Sequence, residues 1–320
     1  MMINGQWQKD FDPIQDSDEE GRFRRVSSTF RNWITPDGSP GPQGQAASRA
    51  EAGRYHLYVA LICPWACRTL MARKLKKLEA VISVTVVNPV MDEQCWRFGG
   101  CPGAGPEPFY GLHHVHQLYS MADPKFTGQV TVPVLWDKQA RTIVNNESAD
   151  ILRILNRGFG ELASDEIDLC PPELEAEIDA VNQRLYDSFN NGVYRAGFAQ
   201  SQQAYEEAVT DVFGALDYLQ QRLQRQDYLV GNRFTEADIR AFVTLIRFDV
   251  AYHGLFKTNL RQIRDYPAVF DYLQRIYRYP GMAETVNIDH IKRGYYSLRA
   301  LNPGGIVPAG PEIFIKPAHT

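Results

Sequence analysis

The sequence is short of cysteine, of charge of one sign and of long apolar runs, and each shortage excludes something. Five cysteines, Cys63, Cys67, Cys95, Cys101 and Cys170, are too few and too scattered over 320 residues for a disulfide framework. They fit a reducing compartment, where a cysteine is either buried and inert or kept for its chemistry. A formal net charge of −4 gives no reason to expect nucleic acid or an anionic membrane as a partner. No stretch approaches the roughly 20 apolar residues of a membrane span, and Met1 to Asp12 lacks the apolar core of a signal peptide. The expected location is therefore the cytoplasm. Hydrophobic residues at 44% and charged residues at 22% are ordinary for a soluble globular chain, and its length favours two domains over one.

Residues 1–50 are polar and rich in Gly, Pro and Ser, and read as an extended arm with aromatic anchors at Phe23, Phe30 and Trp33. A first domain is expected over 51–160. Tyr55-His56-Leu57-Tyr58-Val59-Ala60 has strand character, and Cys63-Pro64-Trp65 opens a helix running to about Leu78, with Leu70, Met71, Leu75 and Leu78 as its apolar stripe. Val81 to Val87 reads as a buried strand, which completes a βαβ unit with a parallel pair. Residues 89–118, with His113, His114 and His116, break the pattern and read as an insertion over a site. Val130 to Trp136 and Thr142 to Val144 form a hairpin, and a helix starts near Glu147-Ser148. This order matches a thioredoxin-type sheet. Over 170–300 the pattern is helical only, with Thr235-Glu236-Ala237-Asp238 resembling a capping box. Residues 301–320 form a Pro- and Gly-rich tail.

Three stretches carry chemistry. Cys63 lies at the end of a strand and the start of a helix, with Pro64 where a missing N–H costs least. Free N–H groups and the helix dipole favour a thiolate there, and such settings lower a thiol pKa from roughly 8.5 to about 3.5–7.5. A buried structural cysteine is the competing reading. Cys67, one turn on, suits packing better than attack. In Thr131-Val132-Pro133-Val134 the proline disrupts a central strand unless Val132–Pro133 is cis, which turns residue 132 outward to pair with an extended ligand; an edge-strand proline is the rival. Asn145-Asn146-Glu147-Ser148 suits a zwitterion, with a carboxylate on helix N–H groups and hydroxyl and an ammonium on the acid, or else is a plain helix cap.

Together with Phe30-Arg31-Asn32-Trp33, Asn190-Asn191-Gly192-Val193-Tyr194, Leu245-Ile246-Arg247-Phe248-Asp249 and Glu284-Thr285-Val286-Asn287-Ile288-Asp289-His290-Ile291-Lys292, these stretches give a resemblance over residues 22–311. The chain resembles the glutathionyl-hydroquinone reductases, the Xi class of the glutathione transferases. The resemblance implies an α/β thioredoxin-like N-terminal domain followed by an all-α C-terminal domain, with glutathione as co-substrate and no metal. It implies that Cys63 attacks the glutathione sulfur of a glutathionyl-hydroquinone, and that a second glutathione resolves the mixed disulfide. Trp96, Gln129, Val130, Thr131, Val132, Glu147 and Ser148 match positions that hold glutathione. Tyr194 matches the proton donor to the departing ring, and Tyr252 and Tyr295 match hydrogen-bond donors to the thiolate. With 16 tyrosines present, only the resemblance selects these three. It also implies a homodimer. Two departures stand out. The family usually has His at the place of Cys67, and Arg at that of Gln129, so weaker glutathione binding is expected.

Two other classes compete. A non-catalytic scaffold of this fold would need neither the Cys-Pro helix start nor the three tyrosines. A metal site would draw on Cys95, Cys101, His113, His114 and His116, whose spacings fit no zinc pattern well. Among enzymes, a conjugating transferase would need Ser or Tyr at the place of Cys63, whereas a cysteine forms the mixed disulfide and favours reduction.

Overall fold

The computed structural model describes residues 1–9 and 17–312. The chain divides into two units. One comprises Val26–Asp168 with the described part of Met1–Phe11; the other comprises the described parts of Asp12–Arg25 and Leu169–Thr320.

In the first unit, β1 (Met2–Ile3) and β2 (Gln6–Trp7) form a small antiparallel ribbon, and β3 (Trp33–Thr35) pairs parallel with β4 (Ala47–Arg49). The part of the expected arm that falls here is docked: Met2 is buried and exchanges backbone hydrogen bonds with Gly128, and Trp33 and Ile34 are buried. The central sheet has the order β6-β5-β7-β8, built from β5 (Tyr55–Val59), β6 (Ser83–Val86), β7 (Val134–Asp137) and β8 (Thr142–Asn145). β5 pairs parallel with β6 and antiparallel with β7, and β7 pairs antiparallel with β8. Every residue of β5 is buried, as a strand covered on both faces requires. Helix α1 (Pro64–Leu75) crosses from β5 to β6, α2 (His116–Ala122) follows the irregular 89–115 segment, and α3 (Ser148–Arg153) follows β8.

Three local differences from the sequence reading have plain causes. Helix α1 stops at Leu75 rather than Leu78, because Lys77 has a φ of 51° and breaks the helical path. Val81 and Ile82 return their N–H groups to Leu78 in a turn, so β6 starts only at Ser83. β7 begins after Pro133, which has no N–H for the ladder.

One carboxylate ties the 89–118 segment to the sheet. Glu107 accepts from the Tyr58 hydroxyl at 2.8 Å and from the N–H groups of Phe109 (3.1 Å) and Tyr110 (2.6 Å), which ties the loop to β5. Another β5 residue, His56, is buried between two hydroxyls, Ser83 Oγ at 2.7 Å and Thr85 Oγ1 at 2.9 Å.

The second unit is helical: α4 (Glu175–Leu185), α5 (Gly192–Gly197), α6 (Gln202–Leu223), α7 (Glu236–Arg247), α8 (His253–Leu255), α9 (Pro267–Arg278) and α10 (Ile288–Tyr296). π-helical turns at Tyr186–Asn190 and Phe248–Tyr252 lead into α5 and α8. The capping box opens α7: Asp238 accepts from Thr235 N at 2.8 Å, Leu229 N at 2.9 Å and the Tyr272 hydroxyl at 2.8 Å, which fastens the helix start to α9. Among the described residues, no helix is long and apolar enough to cross a membrane.

Burial, with the charges of Lys138 and Arg73, pushes His56 from 6.5 down to about 3. The folded state therefore holds it neutral while the unfolded chain takes up a proton as pH falls below about 6.5. Stability from this residue is fully present above that value and is lost as pH drops towards about 3. Between about pH 6.5 and pH 5 the loss is expected to reach about 2 kcal/mol, at roughly 1.4 kcal/mol per pH unit. Urea unfolding at stepped pH should show that slope in the wild type and a shallower one in His56→Gln. Identical slopes would assign the acid sensitivity to other groups.

Candidate active site

Helix α1 begins where β5 has left the sheet, and Cys63 is its N-cap, in extended backbone conformation, with Pro64 in the first turn. The N–H of Ala66 donates to Cys63 Sγ at 3.5 Å, and the thiol lies 3.5 Å from the Val132 carbonyl, to which it donates. A bond from a helix N–H to sulfur strengthens when the sulfur becomes anionic. The Val132–Pro133 bond is cis. Cys67 is 2% exposed and its thiol donates to the Leu61 carbonyl at 3.5 Å.

The strand-like segment 129–132 is held by a residue that sequence reasoning missed. The Tyr119 hydroxyl donates to the Thr131 carbonyl at 2.8 Å, accepts from Thr131 N at 3.2 Å and accepts from Asn146 Nδ2 at 3.1 Å. Tyr119 sits on α2, a helix that begins within the 89–118 stretch read as an insertion and runs just past it, so no periodicity marked it. Val130 and Val132 are buried, while Gln129 and Thr131 are partly exposed.

Glu147 caps α3 and accepts from Ala149 N at 3.1 Å, from Ser28 Oγ at 3.0 Å and from Ser148 Oγ at 3.4 Å. Ser148 Oγ also accepts from the buried Arg68 at 3.4 Å, whose guanidinium lies over the Trp65 ring at 4.3 Å. The plain helix cap is thus real, and the carboxylate and hydroxyl stand together at the same helix start. Ser28 and Arg68 were also missed, since both reach α3 across long stretches of chain. Trp96 lies on the 89–118 segment, half-buried, with its carbonyl accepting from Val115 N at 2.9 Å.

The helical unit gathers the three tyrosines. Tyr194 on α5, Tyr252 at the end of the π-helical turn and Tyr295 on α10 are all buried, and Tyr295 is the middle one. Its hydroxyl is 2.6 Å from that of Tyr194 and 2.8 Å from that of Tyr252. Burial, ahead of every other cause, pushes the Tyr252 and Tyr295 hydroxyls well above the ordinary phenol range, so both carry protons at neutral pH. Three O–H groups joined by two hydrogen bonds leave one proton for a partner outside the triad. Phe256 packs this cluster, stacked on Tyr252 at 5.2 Å and edge-on to Tyr295 and Tyr194. Gly197 on α5 makes room for that ring, since a Cβ there would stand 2.3 Å from it.

Two of the histidines once open to a metal reading are otherwise engaged: His114 pairs with Asp92 at 3.0 Å and His116 with Gln94 at 3.3 Å. Among the described residues, no group of three or more His, Cys, Asp or Glu is arranged to hold a metal ion.

Comparison with known proteins agrees with this geometry. Family profiles for the glutathione S-transferase N-terminal and C-terminal domains match residues 62–157 and 202–275. The glutathionyl-hydroquinone reductase YqjG of Escherichia coli K12 is 52% identical over 91% of this chain and 89% of its own. The glutathionyl-hydroquinone reductase PcpF of Sphingobium chlorophenolicum is 45% identical over 97% and 96%. The chain belongs to the Xi class of the glutathione transferases. The solved structure of YqjG with glutathione bound superposes with a TM-score of 0.90 at 48% identity, covering 99% of this chain and 98% of that one. The Xi transferase of Phanerochaete chrysosporium does so with a TM-score of 0.88 at 46% identity, covering 95% and 97%. The two-domain transferase architecture expected from the sequence is thus shared with these Xi structures.

The cysteines should separate in reactivity. Cys63 is partly exposed at a helix start, Cys67 is buried, and burial pushes the Cys95 thiol, 3.7 Å from Met91 Sδ, up to about 12. With limiting iodoacetamide, peptide mass spectrometry should find Cys63 alkylated ahead of Cys67 and Cys95. First labelling of Cys67 would overturn the assignment of the nucleophile.

Proposed function

We infer that the chain reduces glutathionyl-hydroquinones to hydroquinones with glutathione as reductant. The observation that carries this reading is the Cys63 sulfur at the start of α1 with the Ala66 N–H upon it. The Cys63 thiolate attacks the glutathione sulfur of the substrate. A sulfur–sulfur bond forms, the carbon–sulfur bond breaks, and its electron pair passes to the aromatic carbon, which takes a proton. A second glutathione thiolate then attacks the glutathione sulfur of the mixed disulfide, yielding oxidised glutathione and regenerating Cys63. A conjugating transferase would keep glutathione as a free thiolate, which a cysteine at this place does not do.

Glutathione is assigned to Trp96, Gln129, Val130, Thr131, Val132, Glu147 and Ser148. The backbone of Val132 pairs with the extended tripeptide, Glu147 takes the α-ammonium, and Ser148 with the first N–H groups of α3 takes the α-carboxylate. Tyr194 delivers the proton to the ring carbon, while Tyr252 and Tyr295 serve as hydroxyl donors that favour the thiolate. The Tyr194–Tyr295–Tyr252 hydrogen bonds support a shared role, because they gather the three hydroxyls in one cluster that offers one proton at a time to a partner outside it. The same reading makes the protein a cytoplasmic homodimer. Sedimentation at the mass of a single 36.4 kDa chain would refute the dimer, and cell fractionation checks the compartment.

A direct assay with a glutathionyl-hydroquinone and glutathione tests the reaction. Cys63→Ala should abolish turnover, and Cys67→Ser should retain most of it. Tyr194→Phe keeps the ring and removes the acid, so it should slow carbon–sulfur cleavage by about 10²–10⁴-fold. Reduction of a glutathione mixed disulfide with a small thiol should fall far less, since a thiolate leaves without a proton. Equal losses on both substrates would mean that Tyr194 only shapes the site, and an active Cys63→Ala would end the mechanism.

A further inference from the structure

Ser17 to Arg25 belongs by its contacts to the helical unit, and it brings a cation onto one tyrosine of the triad. The segment is fastened just ahead of α6. Ser201 Oγ donates to the Glu20 carbonyl at 2.7 Å, and Gln200 N donates to the Gly21 carbonyl at 2.9 Å. Arg22 then grips both oxygens of Glu207 on α6, through Nε at 2.8 Å and Nη2 at 3.1 Å. Three residues later the Arg25 guanidinium lies 4.8 Å from the centre of the Tyr194 ring and 5.6 Å from that of Phe23. Its Nε donates to Asn191 Oδ1 at 2.8 Å. Asn191 stands at the head of α5, and its carbonyl accepts from Tyr194 N at 3.0 Å. The cation is therefore tied to the helix that carries Tyr194. Phe198, 5.3 Å from Phe23 and 6.0 Å from Tyr194, links the two rings.

A cation over a neutral phenol gains the modest attraction of the ring quadrupole. As the phenol gives up its proton, negative charge spreads over the oxygen and the ring, and the attraction becomes one between charges. An interaction that grows along the reaction coordinate lowers the barrier without tightening substrate binding. Tyr295, 2.6 Å away, acts on the oxygen, whereas Arg25 acts on the ring face.

We propose that Arg25 is a positioning residue for the reduction, acting through Tyr194 by stabilising the charge left on that phenol when its proton passes to the departing hydroquinone. This rests on Tyr194 being the proton donor. Arg25→Met keeps the aliphatic stem and removes the charge. It should lower kcat for a glutathionyl-hydroquinone by about tenfold, equivalent to about 1.4 kcal/mol, with little change in KM. The ratio of that rate to the rate on a glutathione mixed disulfide should fall by the same factor. Arg25→Lys should recover part of it, as a point charge without the planar fork. In a Tyr194→Phe background Arg25→Met should cost little more, since no phenol charge then develops.

The outcomes separate the two ideas. If Tyr194→Phe leaves the substrate ratio unchanged, the proton-donor reading falls and this proposal with it. If Tyr194→Phe lowers the ratio while Arg25→Met lowers both rates alike, or adds its full effect to Tyr194→Phe, the role of Arg25 alone is overturned. Should Arg25→Met fold poorly by thermal unfolding, Arg25→Gln is read by the same ratio and the same double mutant.

Discussion

A thiol is a poor nucleophile until its anion is favoured, and for this the proposed reaction draws on the junction between β5 and α1. The strand is the second of four in its sheet, paired on both sides and buried along its length, so its end is fixed in place. The helix that follows has unbonded N–H groups in its first turn, and the N-cap residue is the one positioned to receive them. Cys63 occupies that position, and Pro64 removes one competing donor from the same turn. The rest of the first unit elaborates this arrangement. Residues 129–132 run past the sulfur, pinned by Tyr119, and α3 starts nearby in the chain with a carboxylate and a hydroxyl at its head.

The helical unit solves a different problem, which is to keep phenol protons in an apolar interior. A buried hydroxyl without a partner costs about 1–3 kcal/mol, so three tyrosines are better buried together than apart. Tyr295 serves both neighbours, and Phe256 and Phe198 pack against each other beside them. That packing depends on a residue with no side chain, Gly197, at the point of closest approach. The Arg25 cation adds charge to one ring of this group from a segment that lies far away in sequence.

The two departures implied by the family resemblance, at Cys67 and Gln129, differ in setting. Cys67 is a small buried side chain on α1, bonded to the Leu61 carbonyl. Gln129 belongs to the segment to which the proposed reading assigns the tripeptide, and there a neutral amide would contribute less than a guanidinium to an anionic ligand. In the proposed mechanism the reaction type follows from Cys63 and draws on neither.

Local features were legible in the sequence because their causes are local. The Cys-Pro helix start, the capping box of Thr235 and Asp238, and the hairpin of β7 and β8 each involve residues a few positions apart, where spacing and residue type decide the conformation. The same holds for the strand–helix–strand order that gives the parallel pair of β5 and β6. The three tyrosines were chosen by family resemblance alone, since nothing in their spacing marks them. The tertiary structure decided what long-range packing controls: that Tyr119 on an unexpected helix holds Thr131, that Ser28 and Arg68 reach α3, and that Tyr295 joins Tyr194 and Tyr252. Arg25 over Tyr194 is of the same kind, a contact between residues 169 positions apart. By itself the sequence determined that a cysteine caps the first helix, because a helix end is a local event; only folding determined which side chains surround the phenols, because hydroxyls and charges find their partners across the chain.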